Sequence, residues 1–247
     1  IGGQFGLWQV GLVSRTQRLL VDAADGLVSP AVSPDGKIIA CVSPLKPYLY
    51  LYDTNSGALR KHDTGTDTPW LGAPMFSPDG RRLAILSIFG YADAHSDVYQ
   101  AALLVDISRQ TPRFVSATPT SETDWLIGFS EDSDALYLLS TYENYNHGRN
   151  FRYDFWKVSL TSGEYERLSD DGPMRNYHSG SFSAARGWFV ASSWEAREVG
   201  NTIVESPVML RLFDVMSREV RTLSSQGHSA YPAISPDATA VAFSHID

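Results

Sequence analysis

Few residues in this chain have the types and spacing to do chemistry. Its six histidines are His62, His95, His147, His178, His228 and His245, and no two stand at the spacing of a zinc-protease helix. His147, His178 and His228 would ligate a metal if their segments converge, but hydrogen-bonded or solvent-facing histidine is the simpler reading, so no cofactor is expected. Asp93-Ala94-His95-Ser96-Asp97 offers two carboxylates to a cation but lacks the glycine and glutamate of a calcium loop. There is no Gly-x-Ser-x-Gly elbow for a serine hydrolase and no glycine-rich phosphate loop. Cys41 is the only cysteine, so no internal disulfide forms, and the apolar run Ile38-Ile39-Ala40-Cys41-Val42 predicts a buried, unreactive thiol. No catalytic residue is expected.

Binding chemistry is better represented. Three long segments, Ile88–Ala101, Thr141–Tyr153 and Trp194–Pro207, run to about fourteen residues each. The first carries Tyr91 and His95, the second Tyr145, His147, Arg149 and Arg152, the third Trp194 and Arg197. Shorter links add His178, His228 and Tyr231. Disordered segments are poor in aromatics, whereas Tyr, Trp and Arg give binding sites large contact area with polar tips. These residues form the candidate surface for a ligand or partner. The competing reading is that the aromatics pack against neighbouring loops and the charges are solvated.

The elements that position them come from a repeat. Ser33-Pro34-Asp35-Gly36 returns as Ser77-Pro78-Asp79-Gly80, then as Ser130-Glu131-Asp132-Ser133, Ser183-Ala184-Ala185-Arg186 and Ser235-Pro236-Asp237-Ala238, at intervals of 44, 53, 53 and 52 residues. Each copy stands between two short apolar pieces, which reads as strand, tight turn, strand. Proline presets φ for a type I turn, aspartate follows it, and glycine accepts the left-handed conformation that closes it. Gly36 and Gly80 are therefore expected at positive φ.

A second signature falls between these hairpins. It includes Leu49-Tyr50-Leu51-Tyr52-Asp53 with Asn55-Ser56-Gly57, Phe155-Trp156-Lys157-Val158 with Ser162-Gly163, and Leu210-Arg211-Leu212-Phe213-Asp214. A further copy is Leu7-Trp8-Gln9-Val10 with Gln17 to Leu20. Each unit is thus two hairpins, or four strands, and no helical periodicity is sustained.

The repeat resembles that of the TolB-type, WD40-like propellers, which carry the same Ser-Pro-Asp-Gly turn. The resemblance covers essentially the whole chain. It implies an all-β fold, a closed β-propeller forming a single domain over residues 1–247. Five four-stranded blades are expected at 24–66, 67–118, 119–172 and 173–226, with the last made of 227–247 plus 1–23. That composite blade would close the ring and hide the edge strands. The count becomes six if the chain is a fragment, and Ile1 in place of an initiator Met reads as a mature or trimmed chain.

For function the resemblance implies a non-catalytic binding module or scaffold, periplasmic or secreted, that captures a protein or peptide segment on the face carrying the three long loops. The alternative is a carbohydrate-active enzyme resembling the oligogalacturonate lyases or the five-bladed glycosidases, using loop His and Arg and a metal. A glycosidase needs a carboxylate pair near the axis. The innermost strands, such as Ser29-Pro30-Ala31-Val32 and Tyr231-Pro232-Ala233-Ile234, contain no acid. The formal charge of −8 disfavours nucleic acid and anionic lipid as partners. No apolar run reaches the roughly 18 residues of a membrane span, so no membrane insertion is expected.

Overall fold

The structure is a computed structural model that describes residues 6–23, 26–65, 71–89, 99–108, 113–116, 124–140, 153–169, 175–200, 202–224 and 228–246. Among these residues all regular structure is strand and all strand pairing is antiparallel. The chain divides into two compact units, Ile1–Thr120 and Ser121–Asp247.

In the first unit, β1 (Gly6–Val10) and β2 (Gln17–Asp22) form a two-stranded sheet. The strands β3 (Val28–Val32), β4 (Ile38–Val42), β5 (Tyr48–Asp53) and β6 (Leu59–Asp63) form a four-stranded sheet in chain order. A second such sheet contains β7 (Met75–Phe76), β8 (Arg82–Phe89), β9 (Tyr99–Asp106) and β10 (Arg113–Ser116). Alternation along the strands explains their stacking. Ala40, Val42, Leu49 and Leu51 pack with Leu83, Ile85 and Val105 of the next sheet. The intervening Cys41, Tyr50 and Tyr52 pack on the opposite face with Leu7. Cys41 is buried as expected, and burial pushes its thiol pKa up to about 11.

The second unit repeats the pattern. One four-stranded sheet is β11 (Asp124–Phe129), β12 (Ala135–Ser140), β13 (Asp154–Ser159) and β14 (Tyr165–Arg167). The next contains β15 (Arg175–Ser183), β16 (Trp188–Val199), β18 (Met209–Asp214) and β19 (Val220–Ser224), with β17 (Thr202–Glu205) added on β16. The last is the pair β20 (His228–Ile234) and β21 (Val241–Ile246). Phe155 and Phe213 stack with centroids 3.8 Å apart, and Tyr137, Leu139, Phe189 and Val215 complete the core between the two larger sheets.

The repeated turn has one hydrogen-bond plan. Ser33 Oγ donates to Asp35 Oδ1 (2.7 Å), the Lys37 amide donates to the same oxygen (3.1 Å), and the Ile38 amide donates to Ser33 Oγ (2.9 Å). Ser77–Asp79, Ser130–Asp132 and Ser235–Asp237 repeat it. The Ser33 hydroxyl and then the Lys37 amide hold the Asp35 carboxyl down at about 2. Gly36 and Gly80 have φ of 72° and 71°, as expected, and Ser133 (63°) and Ala238 (55°) adopt the same conformation in the degenerate copies. The fourth copy has no aspartate, and its left-handed residue moves one position on, to Gly187 at 63°.

Nothing lies within 4 Å of a Cβ built at Gly36, so backbone strain alone opposes a side chain there. Gly36→Val should therefore lower stability by about 1–2 kcal/mol with the sheets retained. An unchanged denaturant midpoint would show that the turn tolerates a branched residue at positive φ.

In each full sheet the second hairpin turn is tied to the first. The Thr54 amide donates to Lys37 O, Ile107 to Arg81 O, Leu160 to Asp134 O and Val215 to Gly187 O, at 2.8–3.0 Å. Each sheet thus has a turn end, where both hairpins close, and a connection end, where its second strand passes to its third.

Side-chain hydroxyls of β15 occupy backbone donors of β20, the Tyr231 amide donating to Ser179 Oγ and the Ile234 amide to Ser181 Oγ, both 3.1 Å. One expectation needs correction. Two of the three long connections are shorter than expected, because strand pairing continues into them. β8 and β9 pair out to Phe89 and Tyr99, and Trp194–Pro207 is largely the hairpin β16–β17.

Candidate functional site

Of the residues singled out in the sequence, Tyr91, His95, Tyr145, His147, Arg149 and Arg152 lie outside the described residues. The other five all belong to the second unit. His178 occupies the bulge of β15 between the pairs Tyr177–Ser193 and Ser179–Ser192. Trp194 pairs with Asn176 across the same two strands. Arg197 pairs with Val204 in the hairpin. His228 and Tyr231 are exposed on β20, and the Tyr231 amide reaches Ser179 beside the His178 bulge. The structure thus brings His178, Trp194 and Tyr231 to the connection end of one unit.

Tyr231 is 65% exposed with φ of 55°. Ser29 has φ of 54°, and both residues precede a proline inside the bulge of a first strand. The conformation is therefore a property of the repeat, and at Tyr231 it carries an exposed aromatic ring.

The hairpin is built out from the blade and locked at its root. β16 is twelve residues long, and only its first part belongs to the four-stranded sheet. From Ala196 to Val199 it pairs with β17 across a two-residue turn that begins at Gly200, whose φ is 64°. At the root the Glu195 amide donates to Ser206 Oγ (2.9 Å) and the Ser206 amide donates to Glu195 O (2.9 Å). Arg211, only 5% exposed, donates to Ser193 Oγ (2.8 Å) and Glu195 Oε1 (2.9 Å) from the strand beneath. The tip presents Val199 and Val204 to solvent, at 55% and 40% exposure. Beside the root, Trp194 Nε1 is buried without a hydrogen-bond partner among the described residues.

The preceding blade secures its own connection in a similar way. Asp154, just after the segment carrying His147, Arg149 and Arg152, is buried and accepts from Ser169 Oγ (2.6 Å) and Arg167 (2.9 Å). In both blades a buried ion pair stands where the chain leaves the sheet.

Sequence reasoning missed Arg211, which sits in a strand signature read only for its period. It also missed the turn end of this unit. A groove of about 730 Å³ opens there, lined by Glu131, Asp132, Asp134, Tyr137, Lys157 and Arg186 among others. The signal was present in the two turn copies that depart furthest from Ser-Pro-Asp-Gly. Among the described residues no group of three or more His, Cys, Asp or Glu side chains is placed to hold a metal, and His147 lies outside those residues.

No protein-family model matches the chain. Solved structures do. TolB from Acinetobacter baumannii superposes with a TM-score of 0.59 at 20% identity over 95% of this chain and 52% of that one. Oligogalacturonate lyase in complex with manganese gives a TM-score of 0.66 at 12% identity over 94% and 62%. The tricorn protease gives 0.68 at 14% over 96% and 26%. The chain spans about half the length of the TolB chain it matches. At these identities the likeness shows the fold alone: the class is an all-β, propeller-type fold of the kind found in TolB. The same fold carries a TolB protein, a lyase and a protease, so function has to be argued from the site.

Proposed function

We propose that the protein is a non-catalytic, TolB-like binding module of the periplasm that captures a protein segment at the connection end of its blades. The observation that carries this reading is the hairpin β16–β17. Its root is fixed by buried Arg211, its tip presents valines, and Tyr231 and Trp194 belong to the same unit. Anchors held on rigid elements lose little entropy on binding, and aromatic residues are the usual anchors. The TolB neighbour supports the same reading at the level of fold.

The test replaces the tip, Val199 to Ile203, by two glycines and mutates Tyr231→Ala in the same chain. Partner capture by the immobilised variant, measured against wild type, should fall by about tenfold or more, since an anchor cluster accounts for 2 kcal/mol or more of binding. The melting temperature should change little, because the blade core is untouched. A variant that folds and retains every wild-type partner would move the site elsewhere. Stoichiometric manganese, calcium or zinc in the purified protein would favour the lyase-like alternative.

A further inference from the structure

The turn end of the second unit has a feature that the binding reading does not use. In the first unit the first two turns lie side by side, and a Cβ at Gly80 would stand 3.6 Å from Pro34 Cδ, an ordinary contact. In the third and fourth copies Glu131 takes the place of Pro34, and Arg186 takes the place of Gly80. Ala184-Ala185 also replaces Pro78-Asp79, removing bulk and one turn carboxylate. Where the first pair of turns has a packed proline and glycine, this pair has opposite charges and small residues, and the groove of about 730 Å³ lies between them.

The charges on the two turns are of opposite sign. Glu131, Asp132 and Asp134 stand on the turn of the earlier blade, and Arg186 stands on the turn of the later one. Lys157 lies half-buried on the third strand of the earlier blade. Among the described residues Glu131, Asp134, Lys157 and Arg186 make no ion pair. Asp132 is already engaged, accepting from Ser130 Oγ and the Asp134 amide within its turn. Between the walls lies Tyr137, only 8% exposed, whose hydroxyl has no hydrogen-bond partner among the described residues. Burial raises its pKa first and the charges of Asp132 and Glu166 raise it further, so the phenol stays protonated and its polar end lies within reach of the acidic wall. The ring is packed in the core while the hydroxyl, at the groove, is free to donate to a ligand.

We infer that this groove is a second binding site, for a short peptide segment carrying a basic and an acidic side chain. The basic group lies toward Glu131 and Asp134, the acidic group toward Arg186, and the Tyr137 hydroxyl donates to a backbone carbonyl between them. The volume falls within the roughly 300–1,000 Å³ of known ligand pockets. Charges of both signs on facing walls discriminate by sign, because a peptide of one sign meets a repulsive wall.

The probe is a dye-labelled pentapeptide, Gly-Lys-Gly-Asp-Gly, titrated against the whole chain by fluorescence anisotropy at low salt, with Gly-Lys-Gly-Lys-Gly and Gly-Asp-Gly-Asp-Gly as controls. The mixed-charge peptide should saturate, and each control should bind at least fivefold more weakly. Glu131→Gln with Asp134→Asn, and separately Arg186→Gln, should each weaken the mixed peptide about tenfold with no change in melting temperature, since all three side chains are exposed. Tyr137→Phe should weaken it severalfold while keeping the ring in the core. No saturable binding up to 10 mM, equal binding to wild type and the charge variants, or binding of the two like-charged control peptides equal to that of the mixed peptide would each overturn the assignment.

Discussion

Phe213→Ala should cost about 3–5 kcal/mol, the largest effect expected of any single substitution in the second unit. Phe213 is 2% exposed on β18, and its ring stacks on Phe155 of β13 with planes 8° apart. Phe189 also lies against Phe155, at a centroid distance of 5.6 Å. Truncating such a ring loses its transfer free energy and leaves a cavity that a close-packed interior fills only in part. Rotation of Phe155 into the space would relieve some of the cost, and would also abandon the stacked geometry. With total stabilities near 5–15 kcal/mol, a loss of this size should lower the melting temperature by about 10 °C or more. Phe213→Leu, which keeps most of the volume, should cost less than half as much. The measurement is chemical denaturation of the three proteins under one condition. A loss under about 1 kcal/mol for the alanine variant would show that the two larger sheets of this unit are not held together through the ring stack. Because Val215 belongs both to this core and to the lining of the groove, the alanine variant should also weaken the mixed-charge peptide.

What was legible in the sequence was local. Ser33 and Asp35 specify the turn because both side chains bond within six residues, and Gly36 because its φ is set by its immediate neighbours. Strand periods at Ile38–Val42 and Leu49–Tyr52 were equally plain, since alternate residues meet opposite sheets. The hairpin β16–β17 was not legible. Glu195 to Glu198 reads as a charged, solvated stretch, and strand pairing becomes visible only with Ile203 and Val204 across the turn at Gly200. The shared terminal blade is an inference over the whole chain length, with no local residue to enforce it. The groove was hidden for the opposite reason. Glu131, Ala184, Ala185 and Arg186 looked like decay of a repeat, whereas their departures from it are what open the space and line it with charge. A repeat protein keeps its fold through the copies that match, so the copies that do not match are free to serve binding.

The second large effect lies at the root of the hairpin. Glu195→Ala should destabilise the protein by about 2–3 kcal/mol. Arg211 is 5% exposed while the Glu195 side chain is 35% exposed, so the pair is buried on one side only. Removing the carboxylate takes from the guanidinium the acceptor 2.9 Å from Nη2 and leaves its charge in a site that water reaches poorly. Breaking a fully buried pair costs about 3–5 kcal/mol, and the partial exposure of Glu195 lowers the expectation. The companion variant Arg211→Met replaces the cation with an apolar chain of similar length and leaves a carboxylate that solvent can reach, so it should cost about 1 kcal/mol. Combined with Glu195→Ala it should recover most of the single-variant loss, because no buried cation then loses an acceptor. Stability and binding should then separate. The double variant regains its melting temperature but lacks the bond that ties the hairpin to β18, so amides from Arg197 to Val204 should exchange with solvent at least tenfold faster than in wild type. If the hairpin is the partner-binding element, capture by the double variant should fall although its fold is intact. Equal exchange rates in wild type and double variant would show that the paired Glu195 and Ser206 backbones hold the root without Arg211. In that case the buried arginine serves only the packing of its own sheet.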